Sequence, residues 1–440
     1  TVTPARGRKA RTVTLAFQLD RGIRLRLEVA RAGLRGLETV STKTVRLRRG
    51  ARRVGWTAPR RLAPGTYLLR LRATDGKGRT VLYGGTRPAK QRLAAPVVRV
   101  LGVDAAFTRR SYQPGERAAL RVEADTAKLT VRVFHSGSEE TTTRRNDEMR
   151  GTPMTEPAAT AWRRNRFRPH RTTVQIGDWP SGLYFARATT ADGREGYAPF
   201  VVRPTSPSAH RVAVFLPTHT WQAYNYYDRD RDGWGDTWYA GTTDRIHLDR
   251  PYLNRGVPPR FRVYDLPFLR WLHAGGKQAD FYAEDDLERF ASGAELRDDY
   301  DLIVFSGHSE YVTEHAYDLI EQYRNLGGNL MFLSANSFFW KVRKRGSRLD
   351  RIALWRDKGR PEAALIGTQY LANDDGSLQD GFEVIGADLA PWAFQGTGLT
   401  NGSVFGQYGI EIDHTTGSSP EGTIVLARIP DLFGPGRTAE

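Results

Sequence analysis

The sequence predicts a multidomain β and α/β protein, with two N-terminal β-sandwich (Ig-like) domains followed by an α/β domain built on a flavodoxin-like open sheet. Three observations predict it. The 440 residues exceed what one hydrophobic core usually serves. Residues 11–203 run as short β-rich stretches broken by turn signals, the spacing of sandwiches. Beyond residue 210, apolar strand-like runs alternate with helical periodicity, which implies parallel β-α-β units.

The domains follow in order. Residues 1–100 form a basic sandwich domain, with Thr12–Phe17 and Tyr67–Ala73 among its strands and Asp75-Gly76 as a turn. Residues 101–203 form a second sandwich, with strands at Leu120–Val122, Leu129–Phe134, Thr172–Ile176 and Tyr184–Thr189. Residues 138–170 read as a long polar loop inserted in it. The two sandwiches share an echo, because Pro64-Gly65-Thr66-Tyr67 leading to Asp75-Gly76 resembles Pro180-Ser181-Gly182-Leu183-Tyr184 leading to Asp192-Gly193. Residues 204–209 are a linker, since Pro204 and Pro207 among small polar residues cannot continue a strand. The α/β domain spans 210–440. Its strands are Val212–Leu216, Asp280–Ala283, Leu302–Ser306 and Leu330–Ser334. A helix around Phe268–Leu272 stops at Gly275-Gly276, and one bearing Ala316, Leu319, Ile320 and Tyr323 on a single face stops at Gly327-Gly328.

Charge is unevenly placed. Residues 1–100 hold 25 lysines and arginines against four acids, a net +21, which leaves −4 of the chain's +17 for the remainder. Such a segment suits an anionic polymer partner, or it carries solvated arginines on outer strand faces. No motif supports sequence-specific nucleic-acid reading. The absence of Cys excludes thiol nucleophiles, disulfides and Cys-ligated metal, so a metal must be held by oxygen or imidazole. It also leans toward a secreted protein. No apolar run reaches the roughly 18 residues of a membrane span, and an uncleaved signal core is not expected.

Ligands of open α/β sheets bind at the carboxyl ends of the strands, so the residues after each strand are candidates. These are Pro217–Tyr227, Glu284-Asp285-Asp286, Gly307-His308-Ser309-Glu310-Tyr311 and Ala335-Asn336. Among them His219, Trp221, Asn225 and Asn336 are candidate substrate-binding residues, and His308 and Glu310 are candidate catalytic residues. Gly307-His308-Ser309 begins like a nucleophile elbow, but Tyr311 stands where the second glycine belongs, which argues against a Ser309 nucleophile. A class I glutamine amidotransferase-like scaffold fits the pattern, yet its activity is excluded because no Cys exists to act as nucleophile.

Several segments carry a family resemblance. Val214-Phe215-Leu216-Pro217-Thr218-His219-Thr220-Trp221-Gln222-Ala223-Tyr224-Asn225, Asp249-Arg250-Pro251-Tyr252, Tyr300–Tyr311, Gly327–Ser334 and Pro361–Gly367 together resemble the N,N-dimethylformamidase large (catalytic) subunit family. The resemblance implies a hydrolase of an amide-type C–N bond using a mononuclear ferric ion (Fe3+) held by two tyrosines and a glutamate. Carried over, these are Tyr224, Tyr252 and Glu310, with Tyr226, Tyr227 and Tyr239 as neighbouring alternatives for the tyrosines. His308 would lie beside the metal, as a general base or as a group supporting the ligands. Phenolate and carboxylate are hard donors suited to a trivalent cation. The physiological substrate is open, as is pairing with a small subunit or a homo-oligomer.

A second metal signal is independent of the resemblance. Asp228, Asp230, Asp232 and Asp236, with Gly233 at the turn and the Trp234 carbonyl, follow the spacing of a calcium loop, though Tyr239 replaces the closing glutamate. The rival readings are a glycan- or cell-wall-active hydrolase using Glu284, Asp285 or Glu310, and a non-catalytic polyanion-binding protein.

Overall fold

The computed structural model describes residues 12–33, 36–59, 62–84, 96–239, 243–373, 380–407 and 409–440; the rest of the basic segment, residues 1–11 and 85–95 among it, lies outside them. The chain is multidomain and β-rich. It divides into two compact units, Thr1–Thr205 with Trp221–Lys277, and Ser206–Thr220 with Gln278–Glu440.

The first unit opens with two facing sheets. Strand Ile23–Gly33 alternates, burying Leu25, Leu27 and Val29 while Arg24 and Arg26 point to solvent. It pairs antiparallel with Gly36–Leu47 and Gly65–Asp75, and Thr80–Tyr83 and Val97–Val100 complete that sheet. Thr12–Leu19 and Gly50–Thr57 form the second sheet, and Val54 and Trp56 share one core with Leu25, Leu27 and Tyr67. Each such buried side chain contributes about 1.5–3 kcal/mol.

A second pair of sheets follows. Val103–Phe107, Arg117–Ala124 and His170–Gln175 face Lys128–His135, Gly182–Thr190 and Glu195–Val202 across a core of Leu120, Val122, Tyr184 and Phe200. The sequence echo has a structural cause: the Tyr67 hydroxyl donates to Ala63 O and the Tyr184 hydroxyl to Pro180 O, each at 2.8 Å. Residues 138–170 are more ordered than a polar loop. Thr152–Pro153 and Ala158–Ala161 pair with Lys128–His135, and Trp162 enters the core, its indole outweighing the surrounding polarity. Helices Phe261–Tyr264 and Leu266–Ala274 belong to the same unit.

The second unit holds a parallel sheet in the order Asp280–Ala283, Val212–Leu216, Leu302–Phe305, Asn329–Phe332. The short apolar runs of the first three suit strands covered on their faces, whereas Asn329–Phe332, at the sheet edge, leaves Met331 exposed. Helices Gly293–Asp299 and Glu314–Asn325 place Leu296, Ala316, Leu319 and Ile320 against Ala213, Phe215 and Ile303. Ser292 and Thr313 cap them by accepting from Glu295 N and Ala316 N. Beyond lie the parallel pair Tyr311–Thr313 and Trp340–Arg345, the hairpin partner Arg348–Leu354, and an antiparallel pair, Gln369–Asn373 with Glu411–His414. Among the described residues no helix is long and apolar enough to cross a membrane.

Candidate functional site

In the second unit, four loops converge at the carboxyl ends of the parallel strands. The loop after Leu302–Phe305 buries His308 and Glu310. His308 Nδ1 lies 3.0 Å from the Ala335 carbonyl, so that nitrogen carries a proton. Its Nε2 lies 3.4 Å from a Glu310 oxygen and 3.2 Å from a Glu411 oxygen. Burial opposes the imidazolium, but Glu411 and Glu310 overcome it and push His308 up to about 9. Burial raises Glu411 to about 7 and Asp413 to about 6.

Asn336 organises this cluster. Its backbone is left-handed, φ 56°, and its N–H donates to Asp413 Oδ1 at 2.8 Å while its side-chain amide reaches Glu411 at 3.3 Å. The Asn336 side-chain oxygen is buried without a protein partner among the described residues. A polar atom so placed costs free energy unless water or a ligand meets it. Glu411 and Asp413 escaped the sequence reading. Their signal was two acids at period two on one strand, flanking the core residue Ile412.

His219 is occupied elsewhere. Its Nε2 lies 3.0 Å from Asp285 and its Nδ1 3.1 Å from the Tyr311 carbonyl, so both ring nitrogens are engaged. Glu284 accepts from His219 N at 2.7 Å. Burial opposes the His219 charge, yet Asp285 and Glu284 hold it up at about 9, while burial lifts Glu284 to about 7. These carboxylates therefore serve His219 and its loop.

The first unit carries the tyrosine candidates. Asn225 spends its whole amide on structure: Nδ2 donates to Gln222 and to Pro251 O, and Oδ1 accepts from Tyr227 N and Leu253 N. Those bonds bracket Tyr252 on both sides and bring its segment against that of Tyr224. Arg250, 1% exposed, donates to the carbonyls of His247, Tyr227, Asp236 and Gln222. Trp221 is buried against Phe261, its indole N–H donating to Asp265 at 3.2 Å. Tyr224 meets Tyr239 edge-on at 5.1 Å. Burial pushes Tyr252 up to about 12, countered by the Arg110 charge, a Gln222 hydrogen bond and the Arg250 charge, all of which favour phenolate. Tyr224 and Tyr252 thus belong to the first unit, and Glu310 and His308 to the second.

The acidic loop lies wholly in the first unit. Carboxylate oxygens of Asp228, Asp230 and Asp236 all lie within 4.8 Å of one another. All four loop acids accept backbone N–H groups: Asp228 from Gly233 N at 2.8 Å, Asp230 from Asp232 N at 3.3 Å, Asp232 from Trp234 N at 2.8 Å and Asp236 from Arg229 N at 2.8 Å. Gly233, φ 97°, is required twice over, since a Cβ there would meet Leu68 at 2.3 Å. Burial is the first cause that raises Asp228, to about 7, with Asp230 and Asp232 adding to it.

Residues 116–434 match the family described as N,N-dimethylformamidase beta subunit-like, C-terminal, and the chain belongs to that family. It is 27% identical over 207 residues to the N,N-dimethylformamidase beta subunit of Paracoccus aminophilus, covering 37% of this chain and 27% of that protein. It is 37% identical over 117 residues to the N,N-dimethylformamidase beta subunit of an Alcaligenes species, covering 26% of this chain and 15% of that protein. The aligned parts are thus well under two thirds of either relative's length. Tyr224, Tyr252, His308, Glu310, Asn336 and Glu411 lie inside the family match, and the first sandwich lies outside it.

Proposed function

We propose that this chain is a metal-dependent hydrolase of an amide-type C–N bond, similar to the large, catalytic subunit of N,N-dimethylformamidase; the resemblance assigns it a ferric ion, with Tyr224, Tyr252 and Glu310 as the ligands it implies. The carrying observation is the buried His308 between Glu310 and Glu411 at the strand ends, inside the family-matched residues. The donor types suit the ion, since phenolate and carboxylate are hard oxygens; at Tyr252 the Arg110 and Arg250 charges oppose, without overcoming, the burial that raises it to about 12. Bound there, a ferric ion supplies Lewis acidity toward a carbonyl oxygen.

The chain's own groups handle the protons. Glu411 takes a proton from water as the water oxygen bonds to the acyl carbon. Asn336, through its unpartnered oxygen, orients that water. His308, aligned by the Ala335 carbonyl, passes a proton to the nitrogen as the C–N bond breaks. The products are an acid and an amine.

Elemental analysis with visible spectroscopy tests this reading, because ferric phenolate gives a charge-transfer band. Stoichiometric iron with that band is expected, lost in Glu310→Ala and in Tyr252→Phe. Colourless, iron-free protein after iron-supplemented expression overturns it.

The same proposal takes the facing sheets as Ig-like, supported by the repeated tyrosine bond, and the parallel sheet as flavodoxin-like, supported by its strand order. It takes the protein as secreted, with residues 1–100 attaching to an anionic polymer, and as assembling with a small subunit or with itself. The acidic loop is read as a structural Ca2+ site of Asp228, Asp230, Asp236 and the Trp234 carbonyl. Convergence of the three carboxylates supports it, and Asp232 is left out because its carboxylate is not among the converging three.

A further inference from the structure

A cavity of about 440 Å³ opens within the first unit, in the range of small-molecule pockets. One wall is the Tyr224–Tyr226 segment with Leu253 and Val257; the other is the first sandwich, through Arg31 and Glu38. Arg31 and Glu38 stand opposite each other across two strands, just beyond the bulge at Val29/Ala30. The bulge shifts the register there, so the pair at the strand ends is set by an irregularity in the pairing.

Arg31 is only partly spent. It donates to Pro64 O at 3.1 Å and lies against the Tyr67 hydroxyl, and its contact with Glu38 is long, 3.6 Å, to a side chain 68% exposed. A solvated ion pair of that kind is weak and yields readily to a better anion. The guanidinium keeps a fork suited to a carboxylate. Both residues precede the family-matched region, which starts at residue 116.

We infer that the first sandwich supplies a specificity pocket, in which Arg31 reads the carboxylate of an anionic amide whose body lies along the Tyr224 wall. The amide half of this inference rests on the function proposed above, whereas the anion half rests on the cavity alone. The ligand class follows from the walls: aromatic and aliphatic on one side, and on the other a guanidinium whose acidic partner is distant and exposed, in a segment of strong positive charge. Glu38 acts as a gatekeeper that raises the threshold for anions.

Calorimetric titration of the full chain with N-acetylglycine and with neutral N-acetylglycinamide tests it. N-acetylglycine is expected to bind about tenfold more tightly, a preference that Arg31→Gln removes without changing the neutral probe. Glu38→Gln, at an exposed side chain, is expected to tighten N-acetylglycine only. An equal preference in Arg31→Gln, no effect of Glu38→Gln, or no binding of either probe overturns the inference. The readout needs neither iron nor turnover. An anion preference in a protein without iron or hydrolysis would therefore sink the functional proposal alone, and a wild-type protein that hydrolyses amides but shows no anion preference would sink the pocket alone.

Discussion

Replacing Arg250 with methionine removes a buried cation of similar length and takes a charged donor from four carbonyls, of which Gln222 O keeps Asn225 N and Tyr227 O keeps Asp236 N, each at 3.3 Å. Its guanidinium reaches Gln222 O and Asp236 O at 2.6 Å, His247 O at 3.0 Å and Tyr227 O at 3.1 Å. Hydrogen bonds from a charged donor are worth at least about 1.5 kcal/mol each, roughly 6 kcal/mol for the set. Burial takes part of this back: it drives the Arg250 pKa from 12.5 down to about 10, on the order of 3 kcal/mol. The net loss expected for Arg250→Met is therefore about 3 kcal/mol, read as a lower urea midpoint for unfolding of the first unit. Arg250→Lys should lose most of this, because an ammonium cannot reach four carbonyls arranged for a planar fork. The same bonds tie the Tyr224 and Tyr252 segments together, so if the proposed function holds, iron content should fall with stability. A cost below about 1 kcal/mol would refute the reasoning by showing that water or a local shift satisfies those carbonyls.

Two further outcomes can be checked. His219 is held up at about 9 from 6.5, and Glu284 is raised to about 7 from 4.5, so the folded state binds more protons than the unfolded one across that span. The His219 contribution is full below about 6.5 and lost as pH rises through about 9; that of Glu284 declines from about 4.5 to 7. Stability of the second unit should fall with rising pH, and His219→Gln should flatten the part between neutrality and pH 9; an unchanged slope in that variant would count against the pairing. Millimolar Ca2+ should raise the melting temperature, chelator should reverse it, and Asp228→Asn should abolish the response, since ligand bound only to the folded state stabilises it. A wild-type protein indifferent to Ca2+ would dismiss the loop as a cation site.

Strands and helices of the second unit were legible because their signals are local. Val212–Leu216 and Asp280–Ala283 are bounded apolar runs, and Ala316, Leu319, Ile320 and Tyr323 share a helix face. Trp162 was missed because its flanks are polar, and only the core it enters makes Ala158–Ala161 worth pairing. His308 and Glu310 could be placed at a strand end by topology. Glu411 could not, since it comes from an antiparallel pair about a hundred residues further along the chain.

Residue types and their order already carried the β-rich, multidomain organisation, the absence of thiol chemistry, the acidic loop and the family. These depend on residue type and on periods of two and 3.6, which a chain carries in its own order. Only the tertiary structure decided that Asn225 and Trp221 are structural clasps, that His219 is committed to Asp285, and that Glu411 faces His308. It also decided that Arg31 lines a cavity with Tyr224. Each of these turns on which hydrogen-bond partner a side chain finds once distant segments are buried together, and burial makes that partner obligatory.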